Sequence, residues 1–244
     1  MTRLLLNVLL VALLLTVYSD RALPAGLYEL PVLALHAKTV TKLGAMCTTQ
    51  TPNAQGLNCM SYTTDWGLFT GTYVYIVVGH GPDEGVAGTS FGIDYDPQLH
   101  AVDYVNFTQC ADGEALPNDG GNGDFPAAGG GMQIAWDICQ QQIFDVQGVH
   151  AVVGAIYMYA YVSDVMSVTP NNNLPGGLEL AVTTCPGDTI DILDELAFDP
   201  YLVRFTLGAI QFGPGNAGYT PCHLVPVLPT TWGKIKSRYS VTHR

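Results

Sequence analysis

Positive charge is nearly missing from the middle of this 244-residue chain. Of its nine Lys and Arg, only Arg204 lies between residues 43 and 233. The others, Arg3, Arg21, Lys38, Lys42, Lys234, Lys236, Arg238 and Arg244, sit toward the ends. That same span holds 19 of the 21 Asp and Glu, so the body carries a charge near −18. A surface of that sign repels phosphate backbones and argues against nucleic acid as a partner. Other chemistries lack their signatures. The cysteines form no CxxC pair of the zinc type, and the histidines (His36, His80, His100, His150, His223, His243) show no HxH or HExxH spacing. No glycine-rich stretch carries the GK[ST] of a phosphate-binding loop. No linker divides the body and no period of 20–50 residues recurs, so it reads as one domain.

What is present favours strands. The chain has 27 glycines and 15 prolines, which suit short strands and frequent turns, and 48% hydrophobic residues, enough to fill a core. Residues 1–25 read as a signal peptide. Arg3 gives a positive start and Leu4 to Val17 an apolar run, interrupted by Asn7 and Thr16, that is too short to cross a bilayer comfortably. Cleavage is expected after Ser19, Ala25 or Ala37, with retention as an anchor helix the alternative. The mature chain is then expected to have no membrane span. No cysteine closely follows the run, so lipid attachment there is not indicated.

The organising stretch is Val149 to Val162, VHAVVGAIYMYAYV. Tyr157, Tyr159 and Tyr161 alternate with Ile156, Met158, Ala160 and Val162, which puts rings on one face and aliphatic groups on the other. Such a strand belongs inside a β-sandwich, covered on one side by a second sheet. Further strands are expected at Pro31 to Val40, Gly71 to Val78, Val86 to Tyr95, Ala101 to Thr108, Met132 to Ile138, Asp164 to Val168, Leu178 to Thr184 and Leu202 to Phe212. Residues 47–60 read as a polar loop, 112–131 as a long Gly/Asp-rich loop, and Thr189 to Ala197 as a helical turn or loop. The fold class is all-β: a single disulfide-bonded antiparallel sandwich over residues 31–225. Residues 226–244 form a proline spacer and a basic tail, read either as docking on the acidic body or as an export or attachment signal.

The six cysteines are even in number and follow an export signal, which implies a disulfide framework. Local loop closure favours sequential pairing, Cys47–Cys59, Cys110–Cys139 and Cys185–Cys222, among the 15 connectivities open to six cysteines. In the 112–131 loop, Asp112, Glu114, Asp119 and Asp124, with Asn118 and Asn122, offer oxygens on a glycine-rich backbone. They are the candidate metal ligands, for Ca²⁺, in a spacing unlike an EF-hand. A solvated loop is the alternative.

Gly88-Thr89-Ser90-Phe91-Gly92 fits the G-x-S-x-G nucleophile elbow, which needs a strand turning sharply into a helix. Here Ile93-Asp94-Tyr95-Asp96-Pro97 continues as strand, so Ser90 reads as a strand serine and no catalytic residue is assigned. Trp66 and Phe69, or the ring face of the central strand, are candidates for stacking on sugar rings, with a place in the core as the alternative.

Several words of the sequence are similar to those of a family of uncharacterised exported bacterial proteins. They include Gly85-Val86-Ala87-Gly88 with Gly92-Ile93-Asp94-Tyr95, Cys110-Ala111-Asp112, and Ile134-Ala135-Trp136-Asp137 with Cys139-Gln140. Gly148-Val149-His150-Ala151, Tyr157 to Tyr161, Ser167 to Asn173, Glu179-Leu180-Ala181-Val182 and Thr230-Thr231-Trp232-Gly233 continue the pattern. The resemblance runs from about Leu35 to Tyr239. It implies export to the cell surface or medium and a sandwich akin to cohesin-like or immunoglobulin-like adhesion modules, and it carries no assigned activity. The combined expectation is a secreted, non-enzymatic binding or adhesion module for an extracellular protein or glycan. A self-associating component of the cell envelope is the second reading, and a secreted hydrolase the third. No cofactor other than Ca²⁺ is expected.

Overall fold

The computed structural model describes residues 30–97, 102–118, 125–143, 148–172, 174, 178–193, 207–215 and 218–222. Two antiparallel sheets face each other. The first runs β1 (Val32–Thr39), β3 (Thr72–Gly81), β8 (Val149–Ala160), β5 (Val102–Gln109). The organising stretch is thus an inner strand, flanked by β3 and β5. The second sheet is built on β4 (Val86–Asp94), with β7 (Gly131–Gln140) along one edge and β6 (Gly113–Asn118) outside β7. On its other edge β4 meets β9 (Asp164–Thr169) and β10 (Ala181–Thr184) in succession; β11 (Thr189–Asp191) lies outside β10. β12 (Ala209–Phe212) follows β9, and β2 (Asp65–Trp66) pairs with β12 in parallel.

Alternation explains which residues meet. Leu33, Leu35, Val74, Ile76, Val78, Ile156 and Met158 point from the first sheet into a shared core. Phe91, Ile93, Ile134, Trp136, Met166, Val168, Val182, Ile210 and Phe212 point in from the second. A fully buried side chain of this size contributes about 1.5–3 kcal/mol, so this layer is what holds the sheets together.

A second core was not foreseen. Val32, Ala34, Tyr73, Tyr75, Val77, Val152 and Ala155, on the outer face of the first sheet, pack with Cys59, Tyr62 and Cys222. Residues 40–62 lie across that face as a cover. The Tyr73 hydroxyl donates to the Lys42 carbonyl at 3.2 Å and the Tyr75 hydroxyl to the Met46 carbonyl at 2.9 Å. The loop at 47–60 is therefore polar on its outside and apolar beneath.

The cystines differ from the sequential expectation: Cys47 pairs with Cys110, Cys59 with Cys222 and Cys139 with Cys185. Strand pairing, not closeness in sequence, chooses the partners. Cys47 in the cover sits over the end of β5, and Cys139 and Cys185 end the two strands that flank β4. Two elements also depart from expectation. β6 occupies part of the supposed 112–131 loop because β7 offers it a full register from Gly113↔Trp136 to Asn118↔Gly131, with Ala115 packed against the core. Thr189–Asp191 is a strand, paired with Ala181–Thr183.

Candidate binding surface

The cover starts beside the first residues of β3, where the Val40 N–H donates to the Gly71 carbonyl at 3.3 Å, and leaves the end of β8 partly open. Tyr73 and Tyr75 are buried beneath the cover, Tyr157 and Tyr159 are half-buried, and Tyr161 is 43% exposed. The rings touch in sequence. Tyr73 meets Tyr157 at 5.8 Å between centroids, Tyr157 meets Tyr159 at 5.7 Å, and Tyr159 lies parallel to Tyr161 at 6.4 Å. Phe69 adds the last ring, edge-on to Tyr161 at 6.2 Å. The hydroxyls of Tyr157 and Tyr159 hydrogen-bond at 3.0 Å, and that bond is the first cause of a raised Tyr157 pKa. Both hydroxyls lie against Gly71, where an added Cβ would come within 3.0 Å of the Tyr159 oxygen.

Phe69 is 71% exposed and its backbone is left-handed, φ 59°, a conformation that costs a non-glycine residue about 1–2 kcal/mol. Its N–H donates to the Ala160 carbonyl at 2.8 Å, which ties the loop before β3 to the end of β8. Strained backbone that presents a large ring to solvent is a feature of functional surfaces. Trp66, the other sugar-stacking candidate, is instead half-buried in β2 against the main core.

Beyond Tyr161 the chain crosses to the second sheet through residues 161–163. Asp164 then accepts the Asp96 N–H at 3.1 Å and the Val165 N–H at 2.7 Å. Burial raises the Asp164 pKa most; the two backbone bonds oppose this, and the charges of Asp96 and Asp94 add to it. The corner beside the rings is therefore acidic. Lys38 is across from Tyr73 in register, and Lys42 is in the cover itself.

Beneath the cover, His36 and His150 flank Tyr62 at 5.0 and 6.4 Å. The Thr63 N–H donates to His36 Nδ1 at 2.9 Å. Burial lowers both imidazoles to about 4, helped at His36 by Lys38 and at His150 by His80. His150 is a buried histidine of β8, 1% exposed.

Ser90 is in the middle of β4, 5% exposed, with the strand continuing to Asp94. The strand-to-helix elbow is not present there. Of the four candidate metal ligands, Asp112 and Glu114 are exposed, Asp112 just before β6 and Glu114 within it, and Asp119 and Asp124 lie outside the described residues. Among the described residues no group of three His, Cys, Asp or Glu is placed to hold a metal ion, and no helix is long and apolar enough to cross a membrane.

No protein-family model and no curated protein matches the chain. Among solved structures it is similar to the cohesin module of a family 33 glycoside hydrolase from Clostridium perfringens. That match has a TM-score of 0.39 and 10% identity, over 75% of this chain and 96% of the other. It is also similar to a type II cohesin domain from the cellulosome of Acetivibrio cellulolyticus (TM-score 0.36, 13% identity, 53% and 83% covered). A third is a type I cohesin–dockerin complex from Clostridium thermocellum (TM-score 0.35, 7% identity, 65% and 86% covered). At these scores the sandwich stands on this chain's own strand order and core.

Proposed function

We propose that the chain is a secreted, non-enzymatic binding module, and that Tyr157, Tyr159, Tyr161 and Phe69 form its ligand-facing surface. One observation carries the reading: Phe69 is held in a left-handed backbone with its ring in solvent, at the end of a continuous row of tyrosines. Rings in a row offer faces for sugar rings or for aromatic and aliphatic side chains, and the phenolic hydroxyls give the row polar edges. The three cystines suit an oxidising compartment outside the cytosol, in keeping with a signal peptide over residues 1–25.

A glycan array and a pull-down from extracellular protein test it. The expected result is a retained ligand that Tyr161→Ala or Phe69→Ala releases at least tenfold, with melting temperature unchanged within a few degrees. Ligand retained equally by both variants overturns the assignment of the surface. The self-assembling alternative needs free sheet edges. β6 is the outermost strand on the β7 side among the described residues, and Pro117 within it has no N–H to give a neighbouring strand. Concentration-dependent oligomers in scattering would favour that reading. For Ca²⁺ at Asp112, Glu114, Asp119 and Asp124, the expected sign is a rise in melting temperature in millimolar Ca²⁺ over EDTA. No rise removes the ion from the account.

A further inference from the structure

Beyond Cys222 the sequence runs HLVPVLP and then TTWGKIKSRYSVTHR, outside the described residues. This segment holds Trp232, Tyr239 and four of the chain's nine basic residues, Lys234, Lys236, Arg238 and Arg244. Its chemistry is the complement of the ring row and its acidic corner. The point from which it departs is fixed. Cys222 is bonded to Cys59, and both sulfurs lie against Gly79 toward the far end of β3. The rings of the open surface lie against Gly71, just before the near end of the same strand. Those two glycines are about 26 Å apart along the strand, at ~3.3 Å per residue. Ten residues separate Cys222 from Trp232, enough to reach about 31 Å at the ~3.1 Å per residue of an extended proline-containing spacer. The reach therefore matches the length of the sheet.

We propose that the surface formed by Tyr157, Tyr159, Tyr161 and Phe69 is the dock for the chain's own basic segment, Thr230 to Arg244, carried back over the outside of the cover in the direction of β3. Lys234, Lys236 and Arg238 place cations over the exposed rings. They also meet Asp94, Asp96 and Asp164 at the corner where β8 hands over to β9. Trp232 adds an indole to the row. The field of an acidic body draws the segment in. Because the segment is tethered, its effective concentration is in the millimolar range, so a weak contact is well populated. Any external ligand of this surface then displaces the segment, which makes it a built-in competitor. The dock does not depend on which ligand that is, or on there being one.

The test uses the full chain labelled with 5-fluorotryptophan, whose three ¹⁹F resonances are assigned by single Trp→Phe variants. The expected result is that the Trp232 resonance differs from that of a free 230–244 peptide. It moves to the peptide position in 0.5 M NaCl, in the triple variant Lys234→Glu, Lys236→Glu, Arg238→Glu, and in Tyr161→Ala. Trp66 and Trp136 stay in place throughout, which reports that the sandwich is intact. Added 230–244 peptide is expected to bind the triple variant at least tenfold more tightly than the native chain. A Trp232 resonance at the peptide position in the native chain, or one unmoved by Tyr161→Ala, overturns the proposal. So does a docked signal that appears only with a dimer in sedimentation, since the segment would then belong to a second copy.

Discussion

Phe69 is where a single residue says most about this surface. Its left-handed backbone is anchored by the bond to Ala160 rather than relieved by it. Phe69→Gly is therefore expected to raise stability by about 1 kcal/mol in urea melts, while ligand retention falls as it does in Phe69→Ala. Loss of stability in the glycine variant would show that the ring supports the fold instead. Gly85 is the opposite case. At φ 104° a Cβ would strike the sulfurs of both Cys139 and Cys185, so Gly85→Ala is expected to cost more than about 2 kcal/mol or to leave that cystine unformed, read by melts and thiol titration. The tyrosine row was legible because alternation is written in the residues themselves. The strain at Phe69 was not, since nothing in GLFTG reports a backbone angle.

At the scale of elements, β3, β4 and β8 read directly from their apolar and aromatic runs, although each is buried along almost its whole length and not on one face alone. β6 did not, because its pairing is imposed by β7 on a sequence of turn-like composition. The cover was visible as a polar loop, yet what it covers depends on Tyr73 and Tyr75, whose face looked no different from that of Tyr157 to Tyr161. β9 and β10 show another property hidden from sequence. Thr169 pairs with Gly92 and Ala181 with Ser90, so the chain leaves the edge of β4 and rejoins it at the next same-facing place. The neck of this excursion is closed by the Asn171 N–H donating to the Glu179 carbonyl at 2.7 Å. A flexible ten-residue insertion between Asn172 and Leu178 is expected to cost about 1 kcal/mol or less in melts. A large loss would mean that the excursion itself is a structural support.

Across the whole molecule, the two imidazoles under the cover set a pH dependence. His36 and His150 have folded pKa values near 4, below the 6.5 of an open chain, so the unfolded state takes up protons first. Their contribution is full above pH 6.5 and is lost as the pH falls toward 4. Between pH 7.5 and 5 the drop is about 2 kcal/mol for each of these two histidines, and His36→Gln is expected to remove about half of what the pair contributes. A flat profile over that range in the native chain would show that the imidazoles are solvated. The cystines also act at this scale. Their separations of 63, 163 and 46 residues each remove about 4–5 kcal/mol of chain entropy from the unfolded state, more than the sequential pairs would. On the proposed export, N-terminus first, Cys47 and Cys59 arrive together, long before Cys222. Each of them must either wait for its distant mate or be unpicked from the wrong one. Refolding of the reduced chain is therefore expected to need a thiol–disulfide isomerase, with an oxidant alone trapping it in scrambled forms.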